Sequence, residues 1–118
     1  MNLREIISDF SKKEVLVIGD IMLDIHIYGT VERISPEAPV PVVLVKKEEY
    51  ALGGAANLAN NIYDMGAKSS LIGILGNDKE GKILINEIKA KHIGLYTFYE
   101  DRPTTTKTRI IAHNQQVV

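Results

Sequence analysis

The chain of 118 residues contains no cysteine, which excludes disulfides, thiolate metal sites and a cysteine nucleophile. It also has little net charge. The formal value is −1, which gives no electrostatic reason to expect nucleic acid or an anionic membrane as a partner. No apolar run approaches membrane-spanning length, and the first residues are charged where a signal peptide would be apolar. We therefore expect a cytoplasmic protein.

Several motifs of catalysis are also absent. There is no Gly-x-x-x-x-Gly-Lys-[Ser/Thr] phosphate loop and no Gly-x-Ser-x-Gly elbow. The three histidines, His26, His92 and His113, show no metal-ligand spacing. No repeat, low-complexity tract or linker is visible, so a single domain with an ordinary globular composition is predicted.

Short apolar runs alternate with helical patterns along most of the chain. The run Val15–Ile18 predicts a central strand buried on both faces, with Gly19 and Asp20 in the loop at its carboxyl end. Helical patterns follow Asn2, Gly54 and Asn77, and further strands are predicted over Ser70–Leu75, Leu95–Tyr99 and Thr104–Ala112. Asn77 with Glu80 is predicted to cap the last helix, which should end near His92. This alternation indicates an α/β protein with a mainly parallel sheet.

A β-hairpin-like flap is predicted after the first core strand. Residues from Asp24 to Val31 alternate between apolar and polar, which is typical of a strand. A second arm covers Val40–Val45, and the nearby Pro39 and Pro41 place its start at a sheet edge. Because this arm is apolar on both faces, it needs cover on each side, and we expect a ligand on one side and a second subunit on the other.

The most informative segment is Gly53-Gly54-Ala55-Ala56-Asn57. A glycine pair lets the backbone approach a ligand closely, and the helix that follows offers free N–H groups at its positive end. Asn57 adds a donor and an acceptor, so the segment suits a polyhydroxy or phosphorylated ligand. Alternatively, the glycines only form a loop before the helix, and Asn57 is a polar residue in a solvated first turn.

Together with its neighbours, this segment resembles the amino-terminal half of the ribokinase-like, or PfkB-type, carbohydrate kinases. The resemblance rests on Gly19-Asp20-Ile21-Met22-Leu23-Asp24 after a strand, then a flap, then the glycine pair. The flap segment Arg33–Val42 is more specific, because it resembles the heptose 7-phosphate kinases within this family. The segments Thr106–Arg109 and Asn114–Gln116 resemble the same kinases. In many bacteria these kinases form the first domain of a bifunctional kinase/adenylyltransferase that supplies ADP-heptose for the lipopolysaccharide core.

The resemblance implies sugar contacts for some residues, and charge and spacing make others candidates for binding the sugar phosphate. Asp24 would accept hydrogen bonds from sugar hydroxyls, and Asp20 would lie near the same sugar site. Either carboxylate could instead cap a turn. Gly53 and Gly54 would let the flap close, and Asn57 would bond a hydroxyl. Lys107 and Arg109 share a strand face about 7 Å apart and could clamp the sugar phosphate, or form an ordinary charged face. Arg33 is a third candidate for the phosphate.

The resemblance further implies a three-layer ribokinase-like sheet with helices on both faces and a flap over about residues 24–46. Residues 1–118 would be its amino-terminal portion, without the catalytic and ATP-binding half. The general base is expected beyond Val118, in a Gly-Ala-Gly-Asp segment, so no catalytic residue is assigned and the chain alone should be inactive. ATP and Mg²⁺ would serve the full-length kinase, which would phosphorylate the anomeric hydroxyl of D-glycero-D-manno-heptose 7-phosphate and form a homodimer through the flap.

Two alternatives stay open. One is a kinase for another sugar or a nucleoside. The other, from a different functional class, is a non-catalytic sugar-binding or dimerisation module built around the flap, which would self-associate without depending on Asp24.

Overall fold

The computed structural model describes all 118 residues. Three α-helices and seven strands follow one another in the order α1 (Leu3–Ser8), a 3₁₀ turn (Asp9–Lys12), β1 (Glu14–Ile18), β2 (Ile21–Ile34), β3 (Pro41–Gly54), α2 (Ala55–Asp64), β4 (Lys68–Gly76), α3 (Lys79–Ala90), β5 (Gly94–Glu100), β6 (Thr106–Ala112) and β7 (Gln115–Gln116). No helix is both long and apolar enough to cross a membrane. The predicted α/β class is confirmed.

The chain divides into two compact units. We call Met1–Leu23 with Leu52–Thr106 the core unit, and Asp24–Ala51 with Lys107–Val118 the flap unit. Each is described by itself below.

The core unit is built on a three-stranded parallel sheet in the order β1-β4-β5. Leu71 of β4 lies beside Val17 of β1 and Leu95 of β5, so these side chains share one face. On β4, alternate residues Ser69, Leu71, Gly73 and Leu75 are buried, whereas the residues between them are only partly covered. Both α2 and α3 contact this sheet, and they lie on its buried face.

Right-handed connections explain why one face holds both helices. The chain steps from β1 through α2 to β4, and from β4 through α3 to β5, always in the same direction across the sheet. Parallel crossovers are right-handed in nearly all proteins, so two steps in one direction put both helices on one face. The helices that the resemblance predicts on the opposite face are not among these residues.

One prediction about β1 was wrong. Its apolar run led us to expect a central strand buried on both faces, but β1 is the end strand of the three-stranded sheet. Val17 is buried, while Leu16 and Ile18 are exposed on the face that carries no helix. The physical reason is that no element of the core unit covers this face.

The ends of α1 and α2 follow from local chemistry. Asn2 and Glu5 form the predicted capping box, in which each side chain accepts a hydrogen bond of 3.0 Å from the other residue's backbone N–H. Helix α2 begins after Gly54, which adopts φ 57° and ψ −132°, a combination that only glycine tolerates well. It ends one residue before Met65, and Gly66 follows with φ 101°.

The start of α3 differs from the prediction by one residue. Asp78, and not Asn77, is the N-cap, and its Oδ1 accepts a hydrogen bond of 2.8 Å from the backbone N–H of Gly81. The same carboxylate accepts bonds of 2.6 Å from the hydroxyl and 2.7 Å from the backbone N–H of Thr104. Asp78 therefore joins the start of α3 to the segment that leads into β6. The hydrogen bond from the Thr104 hydroxyl lowers the pKa of Asp78 below its ordinary value.

The flap unit contains most of a four-stranded sheet in the order β3-β2-β6-β7. The two predicted arms correspond to β2 and β3, each of which is longer than expected, and β3 is an edge strand as its prolines predicted. Strand β6 lies beside β2, and β7 pairs antiparallel with β6. His113 and Asn114 turn the chain between β6 and β7 with φ values of 52° and 61°, which fits a tight two-residue hairpin.

We predict that Asp78→Ala lowers the free energy of unfolding by about 2–3 kcal/mol, because it removes a helix cap and leaves Thr104 without its partner. Asn77→Ala is the matched control, since this exposed neighbour should change stability by less than about 0.5 kcal/mol. Urea unfolding measures both, and equal effects of the two substitutions would contradict the assignment of the cap.

The same variant predicts an effect of pH. Because the folded-state pKa of Asp78 is lowered, its contribution is complete above the ordinary carboxyl pKa of about 4 and is lost as the pH falls through the folded-state value. The difference in free energy of unfolding between the unsubstituted chain and Asp78→Ala should therefore be constant near neutral pH and shrink in acid. A constant difference down to pH values below the lowered pKa would show that the carboxylate's charge is not involved.

Candidate functional site

The candidate residues fall into two groups, one in each unit. The core unit holds Asp20, Gly53, Gly54 and Asn57. The backbone N–H of Ala55 donates a hydrogen bond of 2.8 Å to the carbonyl oxygen of Asp20, so the turn after β1 touches the start of α2. A Cβ atom added to Gly54 would lie 2.4 Å from that same oxygen. Two segments that are distant in sequence thus meet here, and the contact requires a glycine.

The first turn of α2 offers hydrogen-bond donors. No side chain caps this helix, so its first N–H groups have no side-chain acceptor. Asn57 lies in the same turn and is exposed, and the side chain of Asp20 is exposed as well. The positive end of the helix would stabilise an anionic or hydroxylated ligand, while the Asp20 carboxylate would accept hydrogen bonds from hydroxyls. Gly53 is buried and takes part only through its backbone.

In the flap unit, β2 and β6 bring Asp24 and Arg109 together. The Arg109 Nη1 atom lies 3.8 Å from Asp24 Oδ2, and the two side chains are 32% and 20% exposed. The other carboxylate oxygen, Asp24 Oδ1, is buried and has no hydrogen-bond partner. A buried acceptor without a donor is unfavourable by about 1–3 kcal/mol, so this oxygen is a natural place for a donating ligand group.

Lys107 and Arg33 differ in their relation to this pair. Lys107 precedes Arg109 by two residues on β6, so both side chains project from the same face, and Lys107 is exposed. Arg33 lies nine positions beyond Asp24 on β2, which places it about 30 Å away at the usual strand rise. It lines a separate depression of about 380 Å³ with Thr30 and Val43. The structure therefore groups Asp24, Arg109 and Lys107, and leaves Arg33 apart.

A further cluster on the flap was not assigned from the sequence. His26 and Tyr28 alternate with Asp24 along β2, and their rings stack with centroids 6.4 Å apart. Lys47 Nζ lies 4.7 Å from the Tyr28 ring centroid and 2.9 Å from Glu49 Oε1. The hydrogen bond between Lys47 and Glu49 lowers the pKa of Glu49 and raises that of Lys47. The alternation of β2 was the signal for a shared face, but nothing in the sequence paired that face with Lys47.

The side chains of this chain form no metal centre with three ligands. No group of three His, Asp or Glu side chains could hold a metal ion. Asp24 faces Arg109, and Asp78 already accepts three hydrogen bonds at the start of α3.

Comparison with known proteins gives a family match and close relatives. The family model described as pfkB family carbohydrate kinase matches residues 12–118. The bifunctional protein HldE of Helicobacter pylori strain HPAG1 is 54% identical over 108 residues, which cover 90% of this chain and 23% of that protein. The bifunctional protein HldE of a Nitratiruptor species is 49% identical over 107 residues, with coverage of 91% and 23%. The chain thus spans about a quarter of the length of these curated relatives.

Solved structures support the fold. Phosphofructokinase-2 from Escherichia coli in complex with fructose-6-phosphate superposes with a TM-score of 0.70 at 17% identity, over 88% of this chain and 34% of that one. A carbohydrate kinase from Agrobacterium tumefaciens gives a TM-score of 0.69 at 22% identity, over 90% and 34% of the two chains. The ribokinase-like fold predicted from the sequence is confirmed by this likeness.

We predict that Gly54→Ala lowers the free energy of unfolding by about 3 kcal/mol or more, since it combines backbone strain with a clash at the Asp20 carbonyl. Gly66→Ala is the matched control, because Gly66 also has a positive φ but a Cβ there would meet nothing within 4 Å. We expect it to cost about 1 kcal/mol, from strain alone. Denaturant unfolding of both variants tests this, and equal losses would show that the contact with Asp20 is unimportant.

Proposed function

This chain belongs to the pfkB family of carbohydrate kinases, and we propose from this premise that it contributes the sugar-binding part of a heptose kinase. The substrate is D-glycero-D-manno-heptose 7-phosphate, and the complete enzyme transfers a phosphoryl group from ATP to its anomeric hydroxyl, in a cytoplasmic route to ADP-heptose for lipopolysaccharide. Identity of 54% to one HldE protein and the resemblance of Arg33–Val42 to heptose 7-phosphate kinases support this choice of sugar.

The observation that carries the proposal is the pair formed by Asp24 and Arg109. It combines a carboxylate with an unused, buried acceptor oxygen and a guanidinium within 3.8 Å. A sugar hydroxyl can donate to the carboxylate, and a phosphate can accept from the guanidinium, so the pair matches a ligand that carries both groups. In this role Asp24 orients the sugar and Arg109 holds the phosphate already present on it.

We propose a role toward a sugar phosphate for each of the other candidates, within its own unit. Lys107 adds a second positive charge for the phosphate, on the same strand face as Arg109. Asn57 and the first N–H groups of α2 bond sugar hydroxyls, and Asp20 accepts from a hydroxyl. Gly53 and Gly54 allow the backbone to bend at the start of α2. Arg33 lies apart from the pair, and we leave it outside this set.

Proton removal and nucleotide binding fall to other residues in this proposal. Bound ATP with Mg²⁺ would supply the phosphoryl group and neutralise its charge. This proposal gives no residue of this chain a role toward these ligands, so no step of transfer is assigned to it. We accordingly propose that the chain binds the sugar phosphate without turning it over.

We also propose that the flap mediates a homodimer. The flap unit exposes Ile34, Val40, Leu44 and Val45, although apolar residues of this size are normally buried. Lys47 shares a face with Tyr28, and hence with Asp24, so alternation along β3 puts Val45 on that face and Leu44 on the opposite one. The Leu44 face is therefore the one proposed to meet a second subunit.

We predict that Asp24→Ala weakens binding of heptose 7-phosphate by about 1.5–3 kcal/mol, the usual range for a hydrogen bond to a charged group. Titration calorimetry measures the change. Asp64→Ala is the matched control, because this exposed carboxylate lies at the end of α2 away from Asn57 and should leave affinity unchanged. Unaltered affinity in Asp24→Ala would remove Asp24 from the site.

Lys107→Ala distinguishes the choice of sugar within the same titration. It should weaken binding of heptose 7-phosphate but not of the heptose without its phosphate, because the lysine acts on the phosphate alone. Equal loss for both sugars, or tighter binding of an unphosphorylated sugar or nucleoside, would favour a kinase for a different substrate.

For the dimer, we predict that Leu44→Asp abolishes self-association measured by sedimentation, since it would bury an unpaired charge in the interface. Val45→Asp introduces the same charge on the other face of the same strand and should leave the dimer intact. A dimer that survives Leu44→Asp would exclude this face. Self-association without any dependence of sugar binding on Asp24 would instead support a non-catalytic module.

A further inference from the structure

Two stacked aromatic side chains of the flap unit lie next to Asp24. His26 and Tyr28 follow Asp24 at intervals of two residues on β2, so all three side chains project from one face of the strand. The two rings have centroids 6.4 Å apart and an angle of 24° between their planes. Both residues are only partly buried, so their rings line an accessible surface beside the Asp24 carboxylate.

The Tyr28 ring has its own partners on the neighbouring strand. Lys47 Nζ lies 4.7 Å from the ring centroid and 2.9 Å from Glu49 Oε1, so the ammonium group interacts with the ring and with a carboxylate at once. The charge of Lys47 is therefore already balanced within the flap. Tyr28 is held between its cation and the His26 ring, and this arrangement fixes the orientation of His26.

The spacing along β2 determines which ring a sugar bound at Asp24 would meet. At the usual strand rise, His26 lies about 7 Å from Asp24, and Tyr28 lies about 13 Å from it. A single pyranose ring can reach from the carboxylate to His26 but not to Tyr28. Arg109 approaches Asp24 from β6, which is on the other side of β2 from β3. A sugar phosphate at Asp24 would thus extend its phosphate toward β6 and its ring along β2.

A pyranose ring suits an aromatic surface because its two faces differ in polarity. In the manno configuration, the hydrogens on carbons 3 and 5 point to the same face and make that face apolar. Burying it against an aromatic ring is favourable, as for other apolar contacts. Binding sites for small molecules accordingly combine aromatic walls with a few polar groups. Asp24 and Arg109 supply the polar groups in the flap unit, and His26 supplies the wall.

We propose that His26 is a specificity-determining residue whose imidazole ring stacks on the apolar face of the substrate's pyranose ring, with Tyr28 as the positioning residue behind it. This inference rests on the proposed function, and it adds selection for the cyclic form of the sugar. The anomeric hydroxyl exists only in that form. Stacking on His26 therefore favours the form of the substrate that the kinase can phosphorylate.

Titration calorimetry with two ligands tests the proposal. One is D-glycero-D-manno-heptose 7-phosphate, and the other is the heptitol 7-phosphate obtained by reducing its anomeric carbon, which keeps the phosphate and hydroxyls but forms no ring. His26→Ala should weaken binding of the heptose phosphate by about three- to tenfold, as expected for one aromatic contact, and that of the heptitol phosphate by less than about twofold. His26→Phe keeps a flat ring and should retain most of the affinity. Tyr28→Leu should reduce the same preference for the cyclic ligand, because it removes the ring that supports His26.

His92→Ala is the matched control. This exposed histidine lies between α3 and the amino end of β5, whereas the candidate residues of the core unit lie near the carboxyl end of β1 and the start of α2. Neither affinity should change. A second readout needs no substitution in the chain that is measured. In a deuterated chain with protonated histidine rings, NMR saturation transfer should reach the hydrogens on carbons 3 and 5 of the heptose, and His26→Phe should abolish this transfer.

Equal losses for the two ligands in His26→Ala, or no loss for either, would overturn the proposal. So would weaker self-association of His26→Ala with unchanged affinity for the heptose phosphate, since that outcome would assign the ring to a contact with a second copy. The proposed function can be judged separately. If both ligands bind and depend on Asp24 but not on His26, only the stacking contact fails. If neither ligand binds the unsubstituted chain, the proposed function fails and this inference fails with it.

Discussion

The direction in which the chain crosses its parallel sheet constrains the rest of the core unit. Because β1, β4 and β5 run parallel, their carboxyl ends meet at one edge, and the turn at Asp20, the cap at Asp78 and the segment after Glu100 gather there. Because both connections are right-handed and advance the same way, the helices share one face. One topology thus accounts for three features of the core unit. These are the edge where the carboxyl ends of the strands meet (the polar edge), the face packed by α2 and α3, and the face without helices.

At the polar edge, backbone contacts position the chain more than side chains do. The Asp20 carbonyl accepts from Ala55, and Gly54 fits against that carbonyl only because it has no Cβ. This leaves the side chains of Asp20 and Asn57 exposed and without hydrogen bonds to other residues of the chain. Asp78 shows the opposite case, since all three of its hydrogen bonds serve the fold.

Local signals predicted the elements well and their partners poorly. The capping box at Asn2, the glycine-led start of α2 and the prolines beside β3 are encoded within a few residues, and the structure contains each of them. The choice between Asn77 and Asp78 as a cap depends on Thr104, which is distant in sequence, so the local pattern selected the wrong neighbour. The pairing of Asp24 with Arg109 likewise required β6 to lie beside β2, for which the sequence has no local mark.

The error at β1 has a different origin, because the apolar run Val15–Ile18 is typical of a strand covered on both faces and the structure covers only one. The apolar composition of β1 suits a strand that is covered on both faces. The exposure of its side chains shows only that the other elements of this chain leave one face uncovered.

The energetics of Asp24 and Arg109 also favour a ligand over a structural role. A partly exposed ion pair with a separation of 3.8 Å adds about 0–1 kcal/mol of stability, while the unpaired Oδ1 opposes folding by about 1–3 kcal/mol. The free flap unit therefore gains little or nothing from this arrangement. A hydrogen-bond donor from a ligand would satisfy Asp24 Oδ1 and leave the ion pair in place. Binding would then be more favourable, because it removes an unfavourable free energy that is already present in the free protein.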